Sequence, residues 1–376
     1  MKIVLTGGGS GGHFYPLIAV AEEIQKIVKE KQLVEAKIFY ISDTPYNERL
    51  LFDRNIFFRK VQAGKPRRYF SIENFFDLFK TCWGFFAAFF QMFKIYPDVV
   101  FSKGAYASFP NLVAARFFKI PVVIHESDTV PGRTNLWSGK FAQRIALSYV
   151  EASSYFPKDK IAFTGNPVRS EFLEMMPVGD AYAHLKLSKD VPTIFIIGGS
   201  LGAEIINENI LSVLPALVEK YQIIHQTGVK NFEIVSKTSN IILEKSEFKN
   251  RYLPLSYLDV KTERAAATIS SLVISRAGST IFEIAQWGIP SIIIPITNSN
   301  GDHQRKNAFA YGKTGAARII EETNLKPHIL FSQIKLILDD TLMQENMRKA
   351  AKSFAHPDAA HKIADEIISI ALQHEK

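Results

Sequence analysis

Apolar and polar positions alternate in blocks along this chain. KIVLT (2–6), AKIFYI (36–41), DVVFS (98–102), PVVIHE (121–126), RIALSY (144–149) and IAFTG (161–165) are apolar runs of the length that predicts buried strands. Between them PLIAVAEEIQKIVKE and PNLVAARFF repeat apolar residues at three and four, predicting helices that cover a parallel sheet. Ligand loops are then expected at the carboxyl ends of the strands. A second cycle opens with TIFIIGGSLGAEIINENILSVLPAL: an apolar strand, a glycine turn, then a helix from about Ala203. YQIIHQ (221–226), RYLPL (251–255), SLVIS (271–275) and PSIIIPI (290–296) continue it, and helical patterns at 327–353 and 358–373 close the chain. The pattern predicts an α/β protein of two Rossmann-like domains facing a central cleft, residues 1–167 and 168–353. A terminal helix within 354–376 is expected to pack back on the first domain.

Composition narrows the class. At 376 residues the chain exceeds the usual size of one core, and 47% apolar with 22% charged residues is ordinary globular usage. Cys82 is the one cysteine, so neither a disulfide framework nor a thiolate metal site can be built. KIVLT follows the first residue directly, without a signal-peptide pattern, so a cytoplasmic protein is expected. The net charge of +8 lies wholly in the first half: residues 1–168 hold 22 Lys and Arg against 14 Asp and Glu, residues 169–376 hold 23 of each. An anionic partner is therefore to be sought there, although a simple solubility bias gives the same asymmetry.

One stretch suggests that partner. FFDLFKTCWGFFAAFFQMFK (75–94) carries eight phenylalanines and a tryptophan, and no charge from Thr81 to Phe93. Thirteen helical residues reach only about 20 Å, too short to span a bilayer. Upstream stand Arg59, Lys60, Lys65, Arg67 and Arg68. Rings beside cations suit an interfacial attachment to anionic phospholipid, whereas periodicity alone equally allows a core helix. The expectation is mixed: part of the helix faces the sheet, while Phe79, Trp83, Phe86 and Phe90 face lipid. Nucleic acid is not expected, because dense phenylalanine without interleaved polar groups suits lipid better than bases.

Four segments carry candidate chemistry. GGGSGGH (7–13) lets backbone amides approach an anion or sugar at the amino end of a helix expected from about Pro16. A GxGxxG here is not in its usual dinucleotide setting, since AKIFYI is followed by SDTPYN and no acidic residue ends the second strand, so a dehydrogenase is disfavoured. His13 at this edge suits a general base for a hydroxyl, or a structural role. GGSLGA (198–203), with Ser200, forms a diphosphate cradle; SRAGSTIFE (275–283) puts Glu283 early on a helix, suited to ribose hydroxyls; DHQRKNA (302–308) adds His303 and Gln304. Each alone is ordinary helix capping. Together they describe a nucleotide-sugar site.

The ordered set GGGSGGHFYP, GAYASFP, HESDTVPGRTN, GNPVR, GGSLGA, SRAGSTIFE and DHQRKNA resembles the bacterial peptidoglycan N-acetylglucosaminyltransferases of glycosyltransferase family 28, which have the GT-B fold, and does so over nearly the whole chain. The resemblance implies inverting transfer of GlcNAc from UDP-GlcNAc to the C4 hydroxyl of undecaprenyl-pyrophosphoryl-MurNAc-pentapeptide (lipid I), giving lipid II. It places the donor mainly in the second domain: Arg169 and Leu258 by the uracil, Ser200 by the diphosphate, Glu283 on the ribose, His303 and Gln304 towards sugar and ribose. The acceptor head would meet Gly11, Gly12, Tyr106, His125, Glu126 and Asp128 in the first, with His13 as base. A peripheral place on the cytoplasmic side of the membrane follows, with cell-wall synthesis proteins as further partners. No cofactor is implied, and the lack of a well-placed DxD pair agrees with metal-free transfer.

This chain departs from the family pattern in three places. Ser127 and Asp128 replace a usual Gln-Asn, Leu201 a usual polar residue, and RAGST is one residue short. These bear on substrate contacts. The alternatives are another GT-B transferase acting on a lipid, disfavoured by HESDTVPGRTN, and a non-catalytic nucleotide-sugar-binding membrane protein, disfavoured by His13 with Glu283.

Overall fold

The computed structural model describes residues 1–64, 72–199 and 202–374, with the side chains of 72–82, 300 and 374 left aside. The chain forms two compact units, Met1–Arg169 with His356–Lys376, and Ser170–Ala355.

The first unit contains strands β1 (Lys2–Thr6), β2 (Lys37–Ser42), β3 (Phe57–Lys60), β4 (Val99–Ser102), β5 (Val122–Glu126), β6 (Arg144–Leu147) and β7 (Ile161–Phe163). All described pairs are parallel, in the order β3-β2-β1-β4-β5-β6-β7. Central strands such as VVIHE are buried throughout, which is why they read as near-continuous apolar runs. Helices α1 (Gly11–Glu30), α2 (Glu48–Asp53), α3 (Ile72–Ile95), α4 (Phe109–Phe117) and α5 (Arg133–Ser138) connect them. The sheet changes direction of growth between β1 and β4, and open α/β sheets bind ligands at the carboxyl side of such a point. Both GGGSGGH and GAYASFP sit there.

The last helix, Ala359–His374, lies on α1 in this unit. Ile363, Ala364, Ile367, Ile368 and Ala371 repeat at helical spacing and share a core with Leu17, Ile24 and Ile27. Lys31 to Asp365 at 2.6 Å and Arg144 to Glu366 at 3.0 Å flank that seam.

Helix α3 divides its faces sharply. Ala88, Met92 and Ile95 enter a core with Val100, Leu112 and Ile124. Trp83 (69% exposed), Phe86 (73%), Phe90 (63%) and Phe93 (69%) point to solvent. Gly84 lies so close to the neighbouring segment that a Cβ there would overlap the Gln62 carbonyl oxygen. Phe79, expected on the outer face, has a side chain outside the described residues, as do Lys65, Arg67 and Arg68. Among the described residues no helix is long and apolar enough to cross a membrane.

The second unit repeats the plan with β8 (Thr193–Ile197), β9 (Gln222–Gln226), β10 (Tyr252–Leu255), β11 (Ser270–Ser275), β12 (Ser291–Ile293) and β13 (Ala317–Ile319), ordered β10-β9-β8-β11-β12-β13. Its helices are α6 (Val178–Leu185), α7 (Glu204–Lys220), α8 (Phe232–Ile242), α9 (Val260–Ile269), α10 (Thr280–Trp287), α11 (His303–Lys313), α12 (Pro327–Leu338) and α13 (Thr341–Phe354). The direction changes between β8 and β11, where GGSLGA and RAGST fall.

Several expectations need correction. Helix α1 begins at Gly11 and carries Pro16 inside it, so Gly11, Gly12 and His13 are its first turn and not a loop before it. The pattern at 327–353 is two helices, because Asp340 caps α13 by accepting from the Met343 amide at 2.9 Å. β3 and β13 were not anticipated; they are short, and β3 at the sheet edge is mostly exposed. β2 ends at Ser42, and Asp43 directly follows it.

Candidate active site

In the first unit the site is built from strand ends. Ser10 is extended at the start of α1, and its Oγ lies 2.9 Å from Nδ1 of His13, which is half-buried on the first turn. If Nδ1–H donates to Ser10, Nε2 is the basic nitrogen of the ring. Asp43 is not open to a ribose: it accepts the Tyr106 hydroxyl at 2.5 Å. Burial, then the hydrogen bond and charge of Asp43, push the Tyr106 phenol far above its ordinary pKa, so it stays a neutral donor. His125, Glu126 and Asp128 stand at the same edge of the sheet. His125 and Glu126 are buried, so they shape the site from behind instead of lining it as expected. Glu126 accepts from the amides of Asp128 (3.0 Å) and Gly132 (3.1 Å) and from Asn135 Nδ2 (2.9 Å), which fixes the HESDTVPG loop.

The segment after β4 is strained. Ala105 adopts φ 66° and ψ 169°, a region essentially reserved for glycine. Its carbonyl accepts from Thr134 Oγ1 (3.2 Å) and Ser108 Oγ (2.9 Å), and these bonds hold the turn that presents Tyr106. Ala105→Gly is expected to relieve about 1 kcal/mol net and raise the melting temperature of this unit by roughly 2–4 °C in calorimetry. An unchanged or lower melting temperature would contradict the strain.

In the second unit a cavity of about 570 Å³ opens at the ends of β8 and β11, lined by Gly202, Ala203, Lys230, Asn231, Arg276 and Glu322 among others. Gly202 has φ +76° and a Cβ there would overlap the Thr227 carbonyl oxygen, so the turn into α7 admits only glycine. Arg276 reaches Glu322 at 2.6 Å and the Ile294 carbonyl at 3.1 Å; the Thr297 amide and hydroxyl each donate to Glu322 at 3.0 Å. Burial alone would raise the Glu322 carboxyl, but these hydrogen bonds and the guanidinium hold it below its ordinary value. Glu283 is half-buried in the first turns of α10, and a Cβ on the preceding Gly278 would meet open space. His303 and Gln304 open α11, with Gln304 Oε1 accepting the Ile296 amide at 3.1 Å. Amino ends of α7 and α10 thus point amides where an anion can sit.

Two expected donor residues stand differently. Arg169 belongs to the first unit, its guanidinium 4.4 Å from the centre of the Tyr15 ring. Leu258 is buried, 3% exposed, so its side chain does not line an open surface. Ser200 and Leu201 lie outside the described residues. Sequence reasoning missed Lys103, Asp43, Asn135, Asn166, Arg276 and Glu322 as parts of these sites. The sole signal for Lys103 was a lysine placed directly after a buried strand.

Two Rossmann-type units, each with an anion-ready turn at its sheet's reversal point, define the GT-B architecture of nucleotide-sugar enzymes. The chain belongs to glycosyltransferase family 28: residues 3–147 match the family's N-terminal domain and 193–363 its C-terminal domain. It is 35% identical over 388 residues to the UDP-N-acetylglucosamine--N-acetylmuramyl-(pentapeptide) pyrophosphoryl-undecaprenol N-acetylglucosamine transferase of Treponema denticola, covering 96% of each chain. Among solved structures, MurG of Acinetobacter baumannii superimposes with a TM-score of 0.72 at 25% identity, over 98% of this chain and 99% of that one. The UDP-GlcNAc 2-epimerase of Neisseria meningitidis, solved with UDP-GlcNAc, shares the fold (TM-score 0.65, 15% identity, 98% and 100% covered).

Proposed function

We propose that this chain transfers GlcNAc from UDP-GlcNAc to the C4 hydroxyl of lipid I with inversion, in peptidoglycan synthesis. The observation that carries the reading is the placement of the two motif sets: GGGSGGH and GAYASFP at one sheet's reversal point, GGSLGA and RAGST at the other's. The acceptor oxygen forms its bond to the anomeric carbon as the bond from that carbon to the UDP oxygen breaks. His13 Nε2 takes the hydroxyl proton, and UDP departs with the electron pair. Amides at the amino ends of α7 and α10 face the charge that develops on the diphosphate. Glu283 holds the ribose hydroxyls, and Tyr106 donates to the acceptor head or stays on Asp43.

The outer face of α3 is the membrane contact. Trp83, Phe86, Phe90 and Phe93 form an apolar strip, extended by exposed Phe117 of α4, with Lys94, Arg59 and Lys60 also exposed in this unit. Such a surface rests on the cytoplasmic leaflet with its rings in the headgroup boundary and its cations near phosphate.

The direct test is incubation with labelled UDP-GlcNAc and a short-chain lipid I analogue. Label appearing in a disaccharide lipid supports the reading. Binding of UDP-GlcNAc with transfer only to a diacylglycerol acceptor, or to none, refutes it.

A further inference from the structure

Lys103 directly follows β4 and is only 2% exposed. Its Nζ lies 2.6 Å from His125 Nδ1 and 2.9 Å from Asn166 Oδ1. On the far side of the ring, Nε2 is 3.0 Å from the Gly165 carbonyl, which can only accept, and 3.2 Å from Ser148 Oγ. The ring proton therefore sits on Nε2, and bare Nδ1 accepts from the lysine. One side chain thus ties together the ends of β4 and β5 and the segment after β7.

Its charge has a second use. Glu126 ends β5 and Asp128 lies on the loop that follows it, and both carboxylates attract the Lys103 ammonium. The acceptor assigned above carries a pyrophosphate. Two uncompensated carboxylates beside it would repel it, and in a poorly solvated site that repulsion is weakly screened.

We propose that Lys103 is a positioning residue for the acceptor subsite: it fixes His125 and offsets Glu126 and Asp128, so that loop 127–132 can stand beside an anionic lipid pyrophosphate. The proposal rests on the acceptor reading given above. It also accounts for Asp128 standing where a neutral side chain is usual, since the extra carboxylate comes with a buried cation. Burial pulls the Lys103 ammonium down to about 7 against the attraction of the carboxylates, and burial followed by the Asp128 charge pushes Glu126 up to about 7. Burial works against the charged form of both groups, and on Lys103 the two carboxylates pull the other way.

The test compares wild type, Lys103→Met, Asp128→Asn and the double variant with UDP-GlcNAc and a short-chain lipid I analogue. Lys103→Met is expected to raise the acceptor KM tenfold or more while the UDP-GlcNAc KM moves less than twofold. Asp128→Asn in that background is expected to recover most of the loss, because it removes the charge the lysine balanced. Additive losses in the double variant, or equal effects on both KM values, overturn the proposal. If Lys103→Met does not fold, folding and turnover of the double variant support the charge balance, and its failure too overturns it. Nitrogen-15 histidine spectra of the wild type need no variant: an Nε2–H ring at His125 is expected, and an Nδ1–H ring contradicts the tie. Absence of transfer by the wild type would refute the acceptor reading itself, and the ring proton would still report on Lys103.

Discussion

Replacing His13 with alanine is expected to lower kcat by about 10²- to 10⁴-fold, the range of a general base, with UDP-GlcNAc binding unchanged. The reason is geometric. His13 occupies the first turn of α1 at the reversal point of the first sheet, and Ser10 orients its ring through Nδ1. The donor cradle proposed above is built from residues of the second unit, so calorimetric titration with UDP-GlcNAc should give the same affinity in the variant. A loss in kcat below threefold would show that another group takes the proton. A matching loss of donor affinity would show that His13 binds the nucleotide.

The second large effect is expected at the membrane. Phe86→Ser with Phe90→Ser should release the protein from anionic vesicles, because two inserted rings contribute about 2 kcal/mol each, or on the order of a thousandfold in partitioning. The fold should survive, since these side chains are 73% and 63% exposed while Ala88 and Met92 carry the inner face. Flotation with vesicles and circular dichroism read the two properties separately. Unchanged flotation contradicts the lipid face, and loss of the folded signal assigns these rings to the core.

How far the sequence foretold this architecture depends on what each residue's role rests upon. Buried parallel strands such as VVIHE and TIFII are buried along their whole length and mostly apolar, so they were legible without any contact information. FFRK in β3 is an exposed edge strand, and its charged end resembles a loop. The start of α1 was misplaced because Gly11 and Gly12 are poor helix formers that tertiary context overrides. The placement of His13, Tyr106 and Glu283 at strand ends was legible because they sit inside motifs. Their supports were not. Lys103 meets its partners 22 and 63 positions away, Tyr106 meets Asp43 across 63, and Arg276 meets Glu322 across 46. Only the folded sheets bring such pairs within hydrogen-bond reach.

The departure at Ser127-Asp128 illustrates the gain. Read along the chain, a carboxylate beside an anionic acceptor looks unfavourable. In the folded unit Lys103 is buried at the end of β4, and the Glu126 and Asp128 carboxylates both attract its ammonium.

The central claim is that this chain joins GlcNAc to lipid I with inversion, and the configuration of the product tests it most directly. Proton NMR of the purified disaccharide lipid made from UDP-GlcNAc and a short-chain lipid I analogue should show a single β1,4 linkage. An α linkage, attachment at another hydroxyl, or release of free GlcNAc alone would contradict the account.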